Sequence, residues 1–144
     1  MKKLFPSVVL FVLFINTLSS KNYFSFGDPI KVTISYKSKS VKEMVILNLE
    51  NKGTFSFACD ELEKLIDFKI SGTGGPYTIV FKPDSKIFPG KKPFKKSNIT
   101  LTDKFVFSAN ETEKILEYIF YGRLQILKDG KVVYSHLFDA NPCD

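Results

Sequence analysis

The chain has 144 residues, 44% of them hydrophobic, with 21 Lys and Arg against 15 Asp and Glu. This length predicts one domain that is large enough to bury a core, while the positive charge is too small to indicate nucleic-acid binding by itself. One histidine and two cysteines provide no cluster for a transition metal or a His-dependent nucleophile, so we expect neither an enzyme nor a bound cofactor or metal.

The first 20 residues have the parts of a secretory signal peptide. Lys2 and Lys3 precede an apolar run of about 15 residues, and Ser19 and Ser20 provide small residues at its end. The apolar run is shorter than the roughly 20 residues that cross a membrane as a helix. We predict cleavage near Ser20 and a secreted, extracellular domain over residues 21–144; an uncleaved anchor is the alternative.

The cysteines and two sequons agree with an oxidising, glycosylating compartment. Cys59 and Cys143 predict one disulfide, although Cys143, second from the end, could instead pair between chains. Asn98-Ile-Thr and Asn110-Glu-Thr are acceptor sequences for N-linked glycans, so we predict glycosylation at Asn98 and Asn110.

The first half of the domain reads as successive strands. PIKVTISY (29–36) alternates apolar and polar residues with period 2, which predicts a half-buried strand. EMVILNLE (43–50) and GTFSFAC (53–59) are separated by a turn signal and predict a hairpin. DELEKLIDFKIS (60–71) predicts a short turn followed by a strand. After the turn GTGGP, YTIVFKP (77–83) predicts another strand.

The second half begins with a long Pro-, Gly- and Lys-rich connection, residues 83–93. NITLT (98–102) and KFVFS (104–108) then have strand patterns. Residues 108–122 fit either a one- or two-turn helix, with Ser108 and Glu111 as a capping box, or a strand. GRLQILKDGKVVYSHLF (122–138) predicts a hairpin that turns at Asp129-Gly130 and contains His136 as an ordinary strand residue. Its predicted common face holds Leu124, Ile126, Val132 and Tyr134.

Short strands at near-regular spacing predict an all-β fold, a single-domain antiparallel β-sandwich of the immunoglobulin-like kind. One short helix near 110–120 is compatible with it.

Aromatic content is the feature with the most bearing on function. Twelve Phe and six Tyr follow the leader, and the chain has no Trp. They either fill a solid core or line a cavity for an apolar ligand between the sheets. Strand alternation gives the candidate core or lining residues: Ile66, Phe68, Tyr77, Ile79, Phe81, Phe88, Phe94, Phe105, Phe107, Ile119, Leu124 and Ile126. Phe88, Phe94 and the long connection mark the expected ligand entrance.

Three stretches resemble the ML lipid-recognition domains: residues 28–50, FACDELEKL (57–65) and YGRLQILKDGKVVYSHLFD (121–139). The resemblance implies a secreted two-sheet β-sandwich that holds a lipid between its sheets. Members of that family usually carry several disulfides, including cysteines in the first and last strands. This chain has no cysteine at either place.

At the end of the connection, Lys91, Lys92, Lys95 and Lys96 surround Phe94. Behind a signal peptide, such a patch favours an anionic membrane surface or an acidic glycan as a partner over nucleic acid; a solvated loop is the other interpretation. We therefore expect a secreted, non-enzymatic protein that binds a lipid or another apolar small molecule. The alternative is an immunoglobulin-like module that recognises a protein or glycan.

Overall fold

The structure is a computed structural model that describes residues 30–58 and 61–139. The predicted signal peptide, Cys59 and Cys143 lie outside the described residues. Nine strands and one helix occur in the described ranges. They are β1 (Ile30–Ser38), β2 (Met44–Leu49), β3 (Gly53–Phe55), β4 (Leu62–Gly72), β5 (Gly74–Pro83), β6 (Phe94–Leu101), β7 (Lys104–Val106), α1 (Ala109–Leu116), β8 (Gly122–Lys128) and β9 (Lys131–Phe138).

The strands form two sheets that pack face to face. One sheet has five strands in the order β3-β9-β8-β5-β6, and the other has four in the order β2-β1-β4-β7. All neighbouring strands are antiparallel except β9 and β3, which are parallel. The predicted all-β sandwich is therefore confirmed, whereas its immunoglobulin-like character stays a prediction.

Period-2 alternation directs one face of each main strand into the core. Val32, Ile34 and Tyr36 of β1 are buried, while Lys31 and Lys37 are exposed. The same alternation on the facing sheet buries Tyr77, Ile79 and Phe81 of β5 and Leu124 and Ile126 of β8. Burying each large apolar side chain contributes roughly 1.5–3 kcal/mol, so these inner faces hold the two sheets together.

The segment that fitted either helix or strand is the helix α1. Ser108 is its N-cap: the Ser108 hydroxyl accepts the Glu111 N–H (3.2 Å) and the Glu111 carboxylate accepts the Ser108 N–H (3.0 Å). This capping box satisfies two backbone donors at the helix start. Thr112 and Ile115 are buried, and the helix ends at Leu116, so the chain can reach β8 in the opposite sheet.

The predicted hairpin of residues 43–50 and 53–59 is wrong. β2 pairs with β1, whereas β3 pairs with β9 in the other sheet. The turn between them is held by β9: the Asn51 side chain accepts the Ser135 N–H at 3.0 Å, and the Lys52 N–H donates to the Ser135 carbonyl at 2.6 Å. These bonds carry the chain across to the other sheet.

The hairpin of β8 and β9 is confirmed, with Asp129 (φ 53°) and Gly130 (φ 77°) at the turn. Two face assignments are wrong because of irregular strand pairing. In β9 the register shifts between Val132 and Tyr134, and Val132 is 49% exposed. In β4, Ile66 is the extra residue between two paired neighbours and is 42% exposed. A one-residue insertion in the pairing turns the side chain to the other face.

His136 lies in the core, with 2% of its surface exposed. Its Nδ1–H donates to the Glu50 carbonyl at 2.9 Å, and its ring packs 5.1 Å from that of Phe138. Nε2 is buried and has no hydrogen-bond partner among the described residues. Burial lowers the pKa of His136, and the Glu50 carbonyl opposes that shift only in part. His136 is therefore a neutral structural residue at pH 7.

We expect the free energy of unfolding to decrease as the pH falls below about 6.5. Below that pH the unfolded chain takes up a proton that buried His136 resists, which favours unfolding. In His136→Asn, whose amide can still donate to the Glu50 carbonyl, the decrease between about pH 6.5 and 5 should be smaller. Urea unfolding at several pH values measures both proteins. Parallel curves would contradict the assignment, since the carboxylates titrate mainly below about pH 4.5.

Candidate binding site

The predicted ligand-contacting residues fall into two groups. Seven are buried in the core: Phe68, Tyr77, Ile79, Phe81, Phe107, Ile119 and Leu124. Three are half-buried: Phe94 and Phe105 pack against that core, and Phe88 packs on Tyr121. Ile126, also named as a core or lining residue, is fully buried. The structure thus brings most of the predicted residues together between the sheets.

Aromatic rings occupy the space between the sheets around Phe81. The Phe81 ring lies 5.2 Å from Phe68 of the other sheet and 5.9 Å from Phe107. Phe94 and Tyr118 each lie 6.2 Å from Phe81 on its remaining sides. The pairs with Phe68 and Phe107 meet edge to face, a favoured geometry for aromatic rings, and the pairs with Phe94 and Tyr118 are tilted. Side chains therefore fill this part of the interior.

An open apolar groove lies next to this cluster, where the long connection passes the end of α1. Its volume is about 370 Å³. Its lining is Phe88, Lys91, Leu116, Glu117, Phe120 and Tyr121. The rings of Phe88 and Tyr121 meet edge to face at 5.8 Å. Phe120 connects the groove to the core, since its ring lies 6.0 Å from the buried ring of Phe57.

A turn built on Asp84 places Phe88 over the groove. The Asp84 carbonyl accepts the N–H groups of Ile87 (3.1 Å) and Phe88 (2.9 Å). The Asp84 N–H donates to the Tyr121 carbonyl at 3.0 Å, which ties the turn to the segment after α1. The groove therefore depends on contacts between two chain segments about one-quarter of the protein apart.

Two of the four lysines in the predicted anionic-surface patch form ion pairs with glutamates in or next to α1. Lys91 forms an ion pair with Glu117 and lies 5.1 Å above the Tyr118 ring; the hydrogen bond to Glu117 raises the pKa of Lys91. Lys96 forms an ion pair with Glu111. That bond, with the Ser108 N–H, lowers the pKa of the Glu111 carboxyl.

Lys92 and Lys95 are exposed and have no ion-pair partner in the described part of the chain. Sequence reasoning missed two cations beside them. Lys95 pairs with Val80 of β5, and Lys82 of β5 pairs with Arg123 of β8, so the cations share the outer face of the five-stranded sheet. The alternation of β5 was the signal that could have identified Lys82.

Both predicted glycosylation sites are exposed. Asn98 lies in β6 with φ 59°, and Asn110 lies in the first turn of α1. Glycosylation of either residue stays a prediction.

No group of three or more His, Cys, Asp or Glu side chains in residues 30–58 and 61–139 could hold a metal ion. Within the same ranges, no helix has the length and apolar character needed to cross a membrane. Comparison with known proteins finds no matching family model, curated protein or solved structure.

We expect Lys96→Ser to lower the free energy of unfolding by about 0.5–1 kcal/mol, since it removes the partner of the partly buried Glu111 carboxylate. Lys95→Ser is the matched control, because Lys95 is adjacent to Lys96 but is exposed and forms no ion pair. This substitution should change the free energy of unfolding by less than about 0.5 kcal/mol. Urea unfolding at pH 7 measures both. Equal effects would show that the ion pair with Glu111 contributes no stability.

Proposed function

We propose that this chain is a secreted, non-enzymatic protein that binds a lipid or another apolar small molecule at the groove beside α1. The observation that carries the proposal is the apolar lining of the groove by Phe88, Leu116, Phe120 and Tyr121. Its volume of about 370 Å³ falls within the usual range for small-molecule sites, roughly 300–1,000 Å³. Phe88 is also one of the two residues that the sequence predicts at the ligand entrance.

The lining favours a ligand with an apolar chain and a small polar or anionic head. Each methylene buried against Leu116 and Phe120 contributes about 0.8 kcal/mol. Lys91 at the rim is already paired with Glu117, but Lys92, the next residue, is exposed and unpaired. An anionic head group of the ligand, held near Lys92, would keep its charge in water while the apolar tail of the ligand enters the groove.

Deeper entry between the sheets requires aromatic rings to move. Phe94 and Tyr118 both contact Phe81, so a chain that reaches Phe81 and Phe68 must displace one of them. Phe94 is half-buried and has the more accessible ring of the two. The resemblance to the ML domains supports this mode of binding, because lipid held between two sheets is what that family implies for this chain.

Recognition of an anionic surface is the second candidate function. Lys92, Lys95, Lys82 and Arg123 are exposed, and Lys82 and Arg123 are paired across neighbouring strands. Like charges placed opposite each other are unfavourable, and an anionic partner would relieve that repulsion. This reading fits a sandwich module that recognises an acidic glycan or an anionic membrane through its sheet face.

Leu116→Gln should raise the dissociation constant for a fluorescent fatty acid about tenfold, since it places an amide in the apolar groove. Val132→Gln, at an exposed apolar residue of β9, should leave the dissociation constant unchanged. Fluorescence titration of both variants measures the effect. Native mass spectrometry of protein purified from its own source should also release a bound lipid. Absence of both lipid and fatty-acid binding would overturn the proposal.

Replacing the two free lysines, Lys92 and Lys95, with Ser should weaken binding to vesicles that contain phosphatidylserine, since each lysine near such a surface contributes about 1 kcal/mol. Replacing Lys91 and Lys96 with Ser removes the same charge from the paired positions and should have the smaller effect. Vesicle co-sedimentation at low and high salt measures both pairs. No vesicle binding by the unmodified protein would exclude recognition of an anionic membrane.

A further inference from the structure

β2 is an exposed and uncharged strand at the edge of the four-stranded sheet. Its sequence, MVILNL, contains no charged residue and no proline. Met44 is 60% exposed and Ile46 is 65% exposed. Edge strands of monomeric proteins usually carry charges, prolines or bulges that prevent pairing with another chain. β2 has none of these along its six residues.

The backbone of β2 presents open hydrogen-bonding groups in a defined pattern. In the turn from β1 to β2, the Ser38 N–H donates to the Glu43 carbonyl at 2.9 Å. Bonding alternates along an antiparallel strand, so Val45 and Leu47 direct their N–H and C=O groups toward β1. Met44, Ile46 and Asn48 direct theirs away from the sheet, where no other described strand pairs with β2.

We propose that two copies of this chain associate by antiparallel pairing of their β2 strands about a two-fold axis at Ile46. The two four-stranded sheets then become one continuous sheet. The pairing opposes Ile46 to Ile46 of the second copy, and Met44 to Asn48 of the second copy. All six residues in these pairs direct their N–H and C=O groups away from their own sheet, so each pair can form backbone hydrogen bonds between the two copies. An isologous contact of this kind is self-complementary and closed.

Charge selects this register from its neighbours. With Ile46 on the axis, Lys42, in the turn before β2 (φ 58°), lies at the end of the pairing that is nearest Glu50, which follows β2 in the second copy; the same pair occurs again by symmetry. Neither side chain has an ion-pair partner among the described residues, and both are exposed. Moving the axis to Leu47 would oppose Lys42 to Lys52. Moving it to Val45 would shorten the overlap and oppose Lys42 to Asn48.

The other edges of the sandwich do not offer an equivalent strand. β3 and β7 have three residues each, and β6 contains Lys95, Lys96 and the left-handed Asn98. Association through β2 uses the one long uncharged edge in the described part of the chain, so it should stop at the dimer. This inference does not depend on the proposed ligand.

Sedimentation velocity over a range of protein concentrations tests the inference with protein expressed from the 144-residue sequence. We expect a monomer–dimer equilibrium for the unmodified protein. Ile46→Lys should give a monomer, because it opposes two like charges at the axis. Val106→Lys, at an exposed valine on the opposite edge of the same sheet, should still dimerise. Far-ultraviolet circular dichroism and thermal unfolding establish that both variants are folded.

Charge exchange tests the register. Lys42→Glu should raise the dimer dissociation constant about tenfold, since it creates two Glu–Glu pairs. Adding Glu50→Lys should restore the original value. Amide hydrogen exchange gives a third readout: the Ile46 and Asn48 N–H groups should become protected as concentration rises, while those of Val45 and Leu47 are protected throughout. A monomer at all concentrations, unlimited association, or absence of rescue in the double variant would overturn the inference.

Discussion

The edge-to-face contact of Phe68 with Phe81 is the interaction on which the rest of the structure depends. The two ring centroids, one from each sheet, are 5.2 Å apart. Each sheet needs the other to bury its apolar face. Phe107 and Tyr118, on either side of α1, complete the cluster around Phe81. The Tyr118 hydroxyl also donates to the Lys92 carbonyl at 2.7 Å. The helix and the long connection, which form the groove, are thus both held by the same aromatic cluster.

The position of α1 also determines which lysines remain free to bind an anionic partner. Glu111 and Glu117 are close enough to bind Lys96 and Lys91, so two of the four clustered lysines are neutralised by the chain itself. Of the other two, Lys95 lies with Lys82 and Arg123 on the outer face of the five-stranded sheet, and Lys92 is exposed on the connection before β6. An apolar groove with a paired cation at its rim and a separate basic face are different kinds of surface. The proposed lipid binding and the proposed recognition of an anionic surface therefore use separate parts of the molecule.

Local signals in the sequence predict most of the fold. Period-2 alternation predicts β1, β4 and β5, and Asp129-Gly130 predicts the last hairpin. Ser108 with Glu111 indicates a capping box, although the sequence left helix and strand open for this segment. The features that the sequence did not predict depend on contacts between residues that are far apart in the chain. The bonds from Asn51 and Lys52 to Ser135 separate β2 from β3, and no local pattern encodes them. The division of the lysines likewise depends on a helix that the sequence left open, and the shifts at Ile66 and Val132 depend on strand pairing.

The exposed apolar residues are distributed unevenly over the surface. Ile66, Ile87 and Val106 are exposed singly, and isolated surface residues of this kind are ordinary. Val41, Met44 and Ile46 are different, because they are exposed within six residues of one another along an edge whose outward backbone groups are open. Neither feature alone indicates a partner. Together with Lys42 and Glu50 beyond the two ends of β2, they support the proposed pairing with a second copy through hydrogen bonding and charge.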